Sequence, residues 1–335
     1  MPLFSIVIAT RDRAELFTAA LDSVARQDFQ DTEIVVVNDG SKAESLPVYA
    51  AILDRARQRL GARLRSFQLV HRAKGHGSSY ALNYGVEQAR GEHVCFLDDD
   101  DLWTDPGHLS RAAQVILHQR QAGRVVDVYM ANQEAVRNGQ RLAGPVWIEA
   151  LEGQLRARGR LPDPDGAYAV DIADLLKSGG FCHLNTLTVR RDFFLQIGGL
   201  DEGIRWENDR DLFLRLLDNA ELMIHHPACT AQHRVPDPAA GSSLTTALSL
   251  VERRLWQLRV MDKCTLGLHD PQLRAYGRLH KMYALKRIAE EMAQQRSWRT
   301  ASFYAVEALS IRPSLKWALF TAYCGLRRLG QRSGP

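Results

Sequence analysis

No stretch of this 335-residue chain is apolar for long enough to cross a bilayer. The longest near the C-terminus, Trp317 to Leu326, is half of the roughly 20 residues that a spanning helix needs. The start lacks a basic segment and meets Arg11 and Asp12 at once, so it reads as a first strand and not as a secretory leader. Cysteine is sparse: Cys95, Cys182, Cys229, Cys264 and Cys324 form an odd set without C-x-x-C spacing. That argues against a disulfide framework and a thiolate metal site, and it favours a reducing, cytoplasmic setting. Also missing are a Pro, Gly or Ser tract that would make a disordered linker, a Gly-x-Gly-x-x-Gly turn and a Walker pattern. Readings as a dinucleotide dehydrogenase or a P-loop ATPase therefore fail.

What is present is an ordinary globular composition, 45% hydrophobic and 24% charged, long enough for a main domain and an appendage. Net charge is only +4 but unevenly placed, because residues 251–335 hold 16 Lys+Arg against 6 Asp+Glu and the rest of the chain is acidic. A basic helical tail on an acidic body suits an anionic surface or acceptor better than a nucleic acid. A merely solvated helix face is the plain alternative.

The first hundred residues alternate strand and helix signals. Phe4–Ala9, Glu33–Val37, Arg65–Val70 and His93–Leu97 read as strands, and Ala14–Arg26, Ser45–Leu60 and a segment capped by Ser78 and Ser79 read as helices. This predicts an α/β fold with an open, mostly parallel, Rossmann-like sheet flanked by helices and ligands at the carboxyl ends of the strands. Every polar cluster falls there: Thr10-Arg11-Asp12, Asn38-Asp39-Gly40-Ser41, His71 to Gly77 and Asp98 to Asp101. Residues 139–170, rich in Gly, Pro and Arg, read as a long loop. A short helix at Ile172–Lys177, a strand at Leu184–Val189, an amphipathic helix at Asp209–Leu217 and a strand at Glu221–His225 follow. From Ser243 to Leu329 the pattern is helical, broken near Gly267 and Pro313. The expected division is a catalytic domain at 1–242, with a nucleotide half at 1–101 and an acceptor half at 102–242, and a helical extension at 243–335.

Four consecutive aspartates, Asp98 to Asp101, end an apolar strand, and their mutual repulsion is best relieved by a hard divalent cation such as Mg²⁺ or Mn²⁺. An acidic turn capping a helix would satisfy one of them but hardly four. Asn38-Asp39-Gly40-Ser41 is a tight turn in which Gly40 takes positive φ, and Asp39 is positioned to accept from the imide N–H of a uracil. Arg72-Ala-Lys74-Gly-His-Gly-Ser-Ser joins cations and glycines to a helix N-terminus, a suitable surface for a diphosphate.

Together, Ser5-Ile-Val-Ile-Ala-Thr-Arg-Asp-Arg, Val37-Asn-Asp-Gly-Ser, Gly91 through Trp103, and Ile197-Gly-Gly-Leu-Asp-Glu followed by Glu207-Asn-Asp-Arg-Asp make the chain resemble a family 2 glycosyltransferase with the GT-A fold. The likeness covers residue 3 to about residue 236, in the right order and spacing, and leaves out the helical tail. It implies that Thr10, Arg11 and Asp39 hold the nucleoside and that Arg72 and Lys74 bind the donor. Asp98 and Asp100 would be the ends of the D-x-D motif, Asp100 the direct metal ligand, with Asp98 or Asp99 facing ribose and sugar. His233 would be a further ligand to metal or diphosphate. Asp209 would be the catalytic base, although Asn208 stands where the commoner form has glutamate; Glu207 and Asp211 are the rival carboxylates.

The implied reaction is inverting transfer from a nucleotide diphosphate sugar, a UDP-sugar by analogy, to a hydroxyl of a glycan or glycolipid acceptor. Bacterial cell-surface polysaccharide or lipopolysaccharide synthesis is the expected setting. The tail, with Trp317, Phe320 and Tyr323 beside Arg327 and Arg328, suggests peripheral contact with the inner face of the cytoplasmic membrane. Two rivals stand against this reading. A sugar nucleotidyltransferase would open with a glycine-rich loop, which Thr10-Arg-Asp-Arg-Ala is not, and a non-catalytic binding protein would have no reason to keep both carboxylate groups.

Overall fold

In the computed structural model, which describes residues 1–142, 146–236 and 248–331, the first strands are apolar runs buried on both faces. β1 (Phe4–Thr10) and β2 (Thr32–Asn38) pair in parallel, with Ile6 opposite Ile34. β1 pairs on its other side with β4 (His93–Phe96), and β2 with β3 (Leu64–Gln68). The sheet continues through β9 (Leu187–Arg190), β6 (Val128–Arg137), β10 (Met223–Arg234) and β5 (Leu102–Trp103) in the order β3-β2-β1-β4-β9-β6-β10-β5. β9 runs antiparallel to both its neighbours and β5 antiparallel to β10, while β10 is parallel to β6, so the sheet is mixed: the β3-β2-β1-β4 half is parallel, as expected, and the other half is not.

Alternation of side chains assigns the two faces. α1 (Ala14–Ala25), α2 (Leu46–Leu60) and α4 (His108–Gln121) bring Phe17, Tyr49 and Ile116 against Phe4, Ile6 and Ile34. α3 (Ser78–Gln88) covers the opposite face, where Gly85 meets Val7 and Val37. Each large side chain fully buried this way contributes about 1.5–3 kcal/mol, which is why the strand interiors are apolar and polar residues gather past the strand ends. Gly40 has φ 65°, as the turn required, and a Cβ there would lie 2.6 Å from the Val70 carbonyl oxygen.

Three local expectations change. Ser78 and Ser79 do not cap α3; Gly77 does so without a side chain, and the Ser79 hydroxyl instead accepts from the Asn208 amide at 3.0 Å. Segment 139–170 contains β7 (Gln140–Arg141), α5 (Leu151–Ala157) and β8 (Tyr168–Val170), the last paired with β10. Its Gly and Pro punctuation masked short elements that only their partners stabilise. The strand expected at Glu221–His225 continues as one long strand, β10 (Met223–Arg234), kinked by register shifts between His225 and Ala231.

The chain divides into two compact units, Met1–Asp237 and Pro238–Pro335. The expected boundary at 242/243 lies outside the described residues. The second unit holds α9 (Leu250–Gly267), α10 (Pro271–Gln294), α11 (Trp298–Ile311) and α12 (Leu315–Gln331), with breaks at Gly267 and Pro313 as predicted and a third at 295–297. Ser249 with Glu252 forms a capping box for α9, and Asp270 caps α10. Among the described residues no helix is long and apolar enough to cross a membrane.

Candidate active site

The carboxyl ends of β1, β2 and β4 bring Thr10 to Asp12, Asn38 to Ser41 and Asp98 to Asp101 to one edge of the sheet. Short β5 then pairs with β10, Gln232 opposite Leu102, which sets His233 beside Asp101. Asp101 is fully buried and saturated: its carboxylate accepts from His233 Nδ1 at 2.7 Å, Asn185 Nδ2 at 2.6 Å and the Arg234 amide at 2.6 Å. It therefore orients His233, leaving Nε2 of that ring to face a ligand, the arrangement usual behind metal-binding histidines. Asp100 pairs with Arg13 at 2.6 Å, and Asp99 lies 3.4 Å from the same guanidinium.

Charge is concentrated here beyond what its counter-ions offset. Desolvation and then the neighbouring Asp101 and Asp100 carboxylates push Asp98 well above the ordinary carboxylate range. Asp99 is raised to about 6, by burial first and against the pull of Arg13. Burial works against charge on His233, but its bond to Asp101 and the fields of Asp98 and Asp100 outweigh that and bring it to about 9. Asp98, Asp100 and Asp101 offer oxygens within 4.8 Å of one another, as do the ligand atoms of Asp101, His183 and His233. Oxygen donors that repel one another and are partly exposed, with an imidazole nitrogen at their edge, fit a hard divalent cation. Asp98 and Asp100 would hold it beside Asp101, while His233 belongs with Asp101 and His183 and would have to give up a proton to join them.

On the opposite wall, Asp209 opens α8 (Asn208–Asn219), where a carboxylate is favoured by the helix dipole. Glu207, just before it, sits in left-handed backbone at φ 64° and pairs with Arg210, while Asp211 is buried against Arg215 at 2.9 Å. Both rival carboxylates are thus engaged in structure. His183 Nε2 lies 3.8 Å from Asp98 Oδ2 and 3.9 Å from Asp209 Oδ2, so a single ring spans the two groups. Its Nδ1 accepts from the Asn185 amide at 3.4 Å, which leaves the proton on Nε2 facing the carboxylates. Desolvation first, then nearby His233, lowers the His183 pKa and favours that neutral form. The Trp147 ring packs edge-on against both histidines.

The 71–77 loop lies against the ends of β1 and β2. Arg11 donates to the carbonyls of Arg72 and Ala73 at 2.8 and 3.1 Å, and Asp39 accepts from the amides of His76 and Gly77. Gly75 fits between them, where a Cβ would lie 2.3 Å from Arg11 Nη1 and 2.5 Å from Asp39 Oδ2. Arg11 and Asp39 therefore shape the 71–77 loop, a role that their motif did not announce. Arg72 and Lys74 are exposed on it, and the Thr10 hydroxyl pairs with that of Tyr49 at 2.9 Å.

Sequence reasoning missed Arg13, His183 and Asn185. Arg13 lies within the first motif and could have been read as the counter-ion of an acidic cluster. His183 and Asn185 carry no local signal, since a turn before β9 brings them to the site from about 85 residues away in the chain.

The family description "Glycosyl transferase family 2" matches residues 5–171. An uncharacterized glycosyltransferase of Rickettsia typhi is 25% identical over 260 residues, 76% of this chain and 70% of that protein. A PGL/p-HBAD biosynthesis glycosyltransferase of Mycobacterium tuberculosis is 38% identical over 115 residues, 34% of this chain and 42% of that one. Among solved structures, S. aureus TarS 1-349 in complex with UDP-GlcNAc aligns with TM-score 0.67 at 18% identity, covering 93% of this chain and 82% of that one. Mannosyltransferase PcManGT from Pyrobaculum calidifontis, in complex with GDP-Man and Mn²⁺, gives 0.58 at 18% identity over 98% and 81%. These two show a shared fold. With four motifs in order on a mixed sheet of that architecture, the chain belongs to glycosyl transferase family 2 and is a glycosyltransferase of the GT-A fold.

Proposed function

We propose that this glycosyltransferase moves a sugar from a UDP-linked donor to a hydroxyl of a glycan or glycolipid in cell-envelope synthesis, in one inverting step with Asp209 as base. The observation that carries the reading is the approach of Asp98 and Asp209 to one nitrogen of His183. A donor-side carboxylate and Asp209, which among the described residues pairs with no arginine, are thereby brought to one imidazole nitrogen. Asp209 would take the acceptor proton as the oxygen attacks the anomeric carbon, a contribution of about 10²- to 10⁴-fold. The bond to the diphosphate breaks as the new one forms, so configuration inverts. Arg13 and the loop bearing Arg72 and Lys74 would offset charge on the departing diphosphate. A divalent cation at Asp98 and Asp100 would supply further charge neutralisation when bound.

The relatives support the substrate classes. TarS binds UDP-GlcNAc and the archaeal enzyme GDP-Man with Mn²⁺, while the mycobacterial relative belongs to PGL/p-HBAD biosynthesis. Five free thiols suit a cytoplasmic enzyme. Calorimetric titration of UDP with Mn²⁺ and with chelator, followed by a panel of UDP-sugars scored for UDP release, tests the reading. Equal UDP affinity in both conditions would sink the metal assignment, and tighter GDP than UDP binding would sink the choice of nucleotide.

A further inference from the structure

The helical unit carries a surface of its own. The aromatic residues that the sequence marked for membrane contact are mostly internal. Trp317 is buried, with its indole N–H donating to the Ala305 carbonyl at 2.9 Å, and Phe320 packs on it with ring centroids 4.7 Å apart. Cys324, one turn further, is also buried. The opposite face of α12 is a different set: Leu315, Leu319, Ala322, Tyr323, Leu326 and Leu329, spaced three or four residues apart, so that they form one stripe. Its five larger members are 49–78% exposed. A stripe this continuous on a water-facing helix costs solubility unless something covers it.

Charge says what covers it. Lys316 and Arg327 stand one residue beyond members of the stripe, on its flank. Across residues 298–331 five cations, Arg299, Arg312, Lys316, Arg327 and Arg328, accompany a single acid, Glu307. A second copy of this chain would set those cations against their like, whereas an anionic lipid surface takes both the apolar stripe and its basic flank. We infer that α12 lies in the plane of an anionic membrane, with Leu315, Leu319 and Leu326 in the acyl boundary and Lys316 and Arg327 at the headgroups. This goes beyond the transfer chemistry proposed above and does not depend on it.

Sedimentation of the full chain with phosphatidylcholine vesicles, with and without phosphatidylglycerol, tests the inference. Binding that needs the anionic lipid and weakens with salt is expected. L319D/L326D should lower partitioning ~10-fold or more, and K316E/R327E should abolish the preference for anionic lipid. Both variants should keep the UDP affinity and helical circular dichroism of the parent, which separates loss of docking from loss of fold. Absence of vesicle binding at low salt, or unchanged binding by L319D/L326D, overturns the inference. So does a parent that sediments as a dimer while L319D/L326D sediments as a monomer, because the stripe would then be a contact between copies.

Discussion

At the centre of the helical unit are Met282, Leu285, Ala289, Ala305, Ala308 and Trp317, and the polar atom they include, the Trp317 indole nitrogen, has its partner. At comparable depth in the N-terminal unit sit Asp99, Asp101, His183 and Asn185. Burying ionisable groups there opposes folding unless each is paired, and Asp98 and Asp99 remain displaced from the ordinary carboxylate range. The helical unit is built as a packing problem. The catalytic unit accepts electrostatic tension at one edge of its sheet, and the long apolar strands beneath hold it together. The two should therefore respond in opposite ways to substitution.

The largest effect is expected at the proposed base, Asp209. Asp209→Asn should lower turnover by roughly two to four orders of magnitude while leaving UDP affinity and melting temperature near those of the parent. If Glu207→Gln collapses activity and Asp209→Asn does not, the base lies two residues earlier. Trp317→Ala should do the reverse, removing about 3–5 kcal/mol of stability through a cavity and a lost hydrogen bond with no change in UDP affinity, as read by urea unfolding and calorimetry. A Trp317→Ala protein with parental stability would break the comparison.

Acid should act on the catalytic unit through its buried neutral histidines. Burial lowers His108 to about 4 and His225 to about 3, so in the folded chain they stay uncharged while the unfolded chain takes up protons below about 6.5. The stability these histidines contribute is complete above that value and is lost as pH falls from 6.5 toward 4, by up to about 3 kcal/mol for His108, while Asp98 and Asp99, raised by burial, work in the opposite direction over the same range. Unfolding measured across this range, with His108→Phe showing a shallower slope, checks the sign. His183 should give the smallest effect. His183→Ala is expected to lower kcat about 10- to 100-fold at constant UDP affinity, with partial recovery in His183→Gln, which keeps an N–H donor. Loss of UDP binding in His183→Ala would instead make it part of the donor site.

Much of the site was legible because its pieces are local. The Asp98 to Asp101 run, the turn at Gly40 and the Asn208-Asp209 helix start each follow an element whose periodicity announces its end, and the parallel half of the sheet gathers the first two of these on one edge. Part of what was illegible came from chain-distant pairing. His183 and Asn185 reach the aspartates through the β4 to β9 pairing, and β7, α5 and β8 were hidden in a segment rich in Gly and Pro. Ser78 and Ser79 looked like caps because hydroxyls favour helix starts, yet Ser79 is taken by Asn208.

By itself the sequence determined the α/β order, the carboxylate cluster and the helix start at Asn208-Asp209, because alternation, turn chemistry and charge repulsion act over a few residues. Tertiary structure alone decided the division of labour among the aspartates. Asp101 supports His233 while Asp100 faces Arg13, since only the pairing of β5 with β10 brings a histidine 132 residues away within 2.7 Å. It likewise decided which face of α12 is exposed: a helix pattern names its apolar positions, and only the neighbouring helices choose which of them they cover.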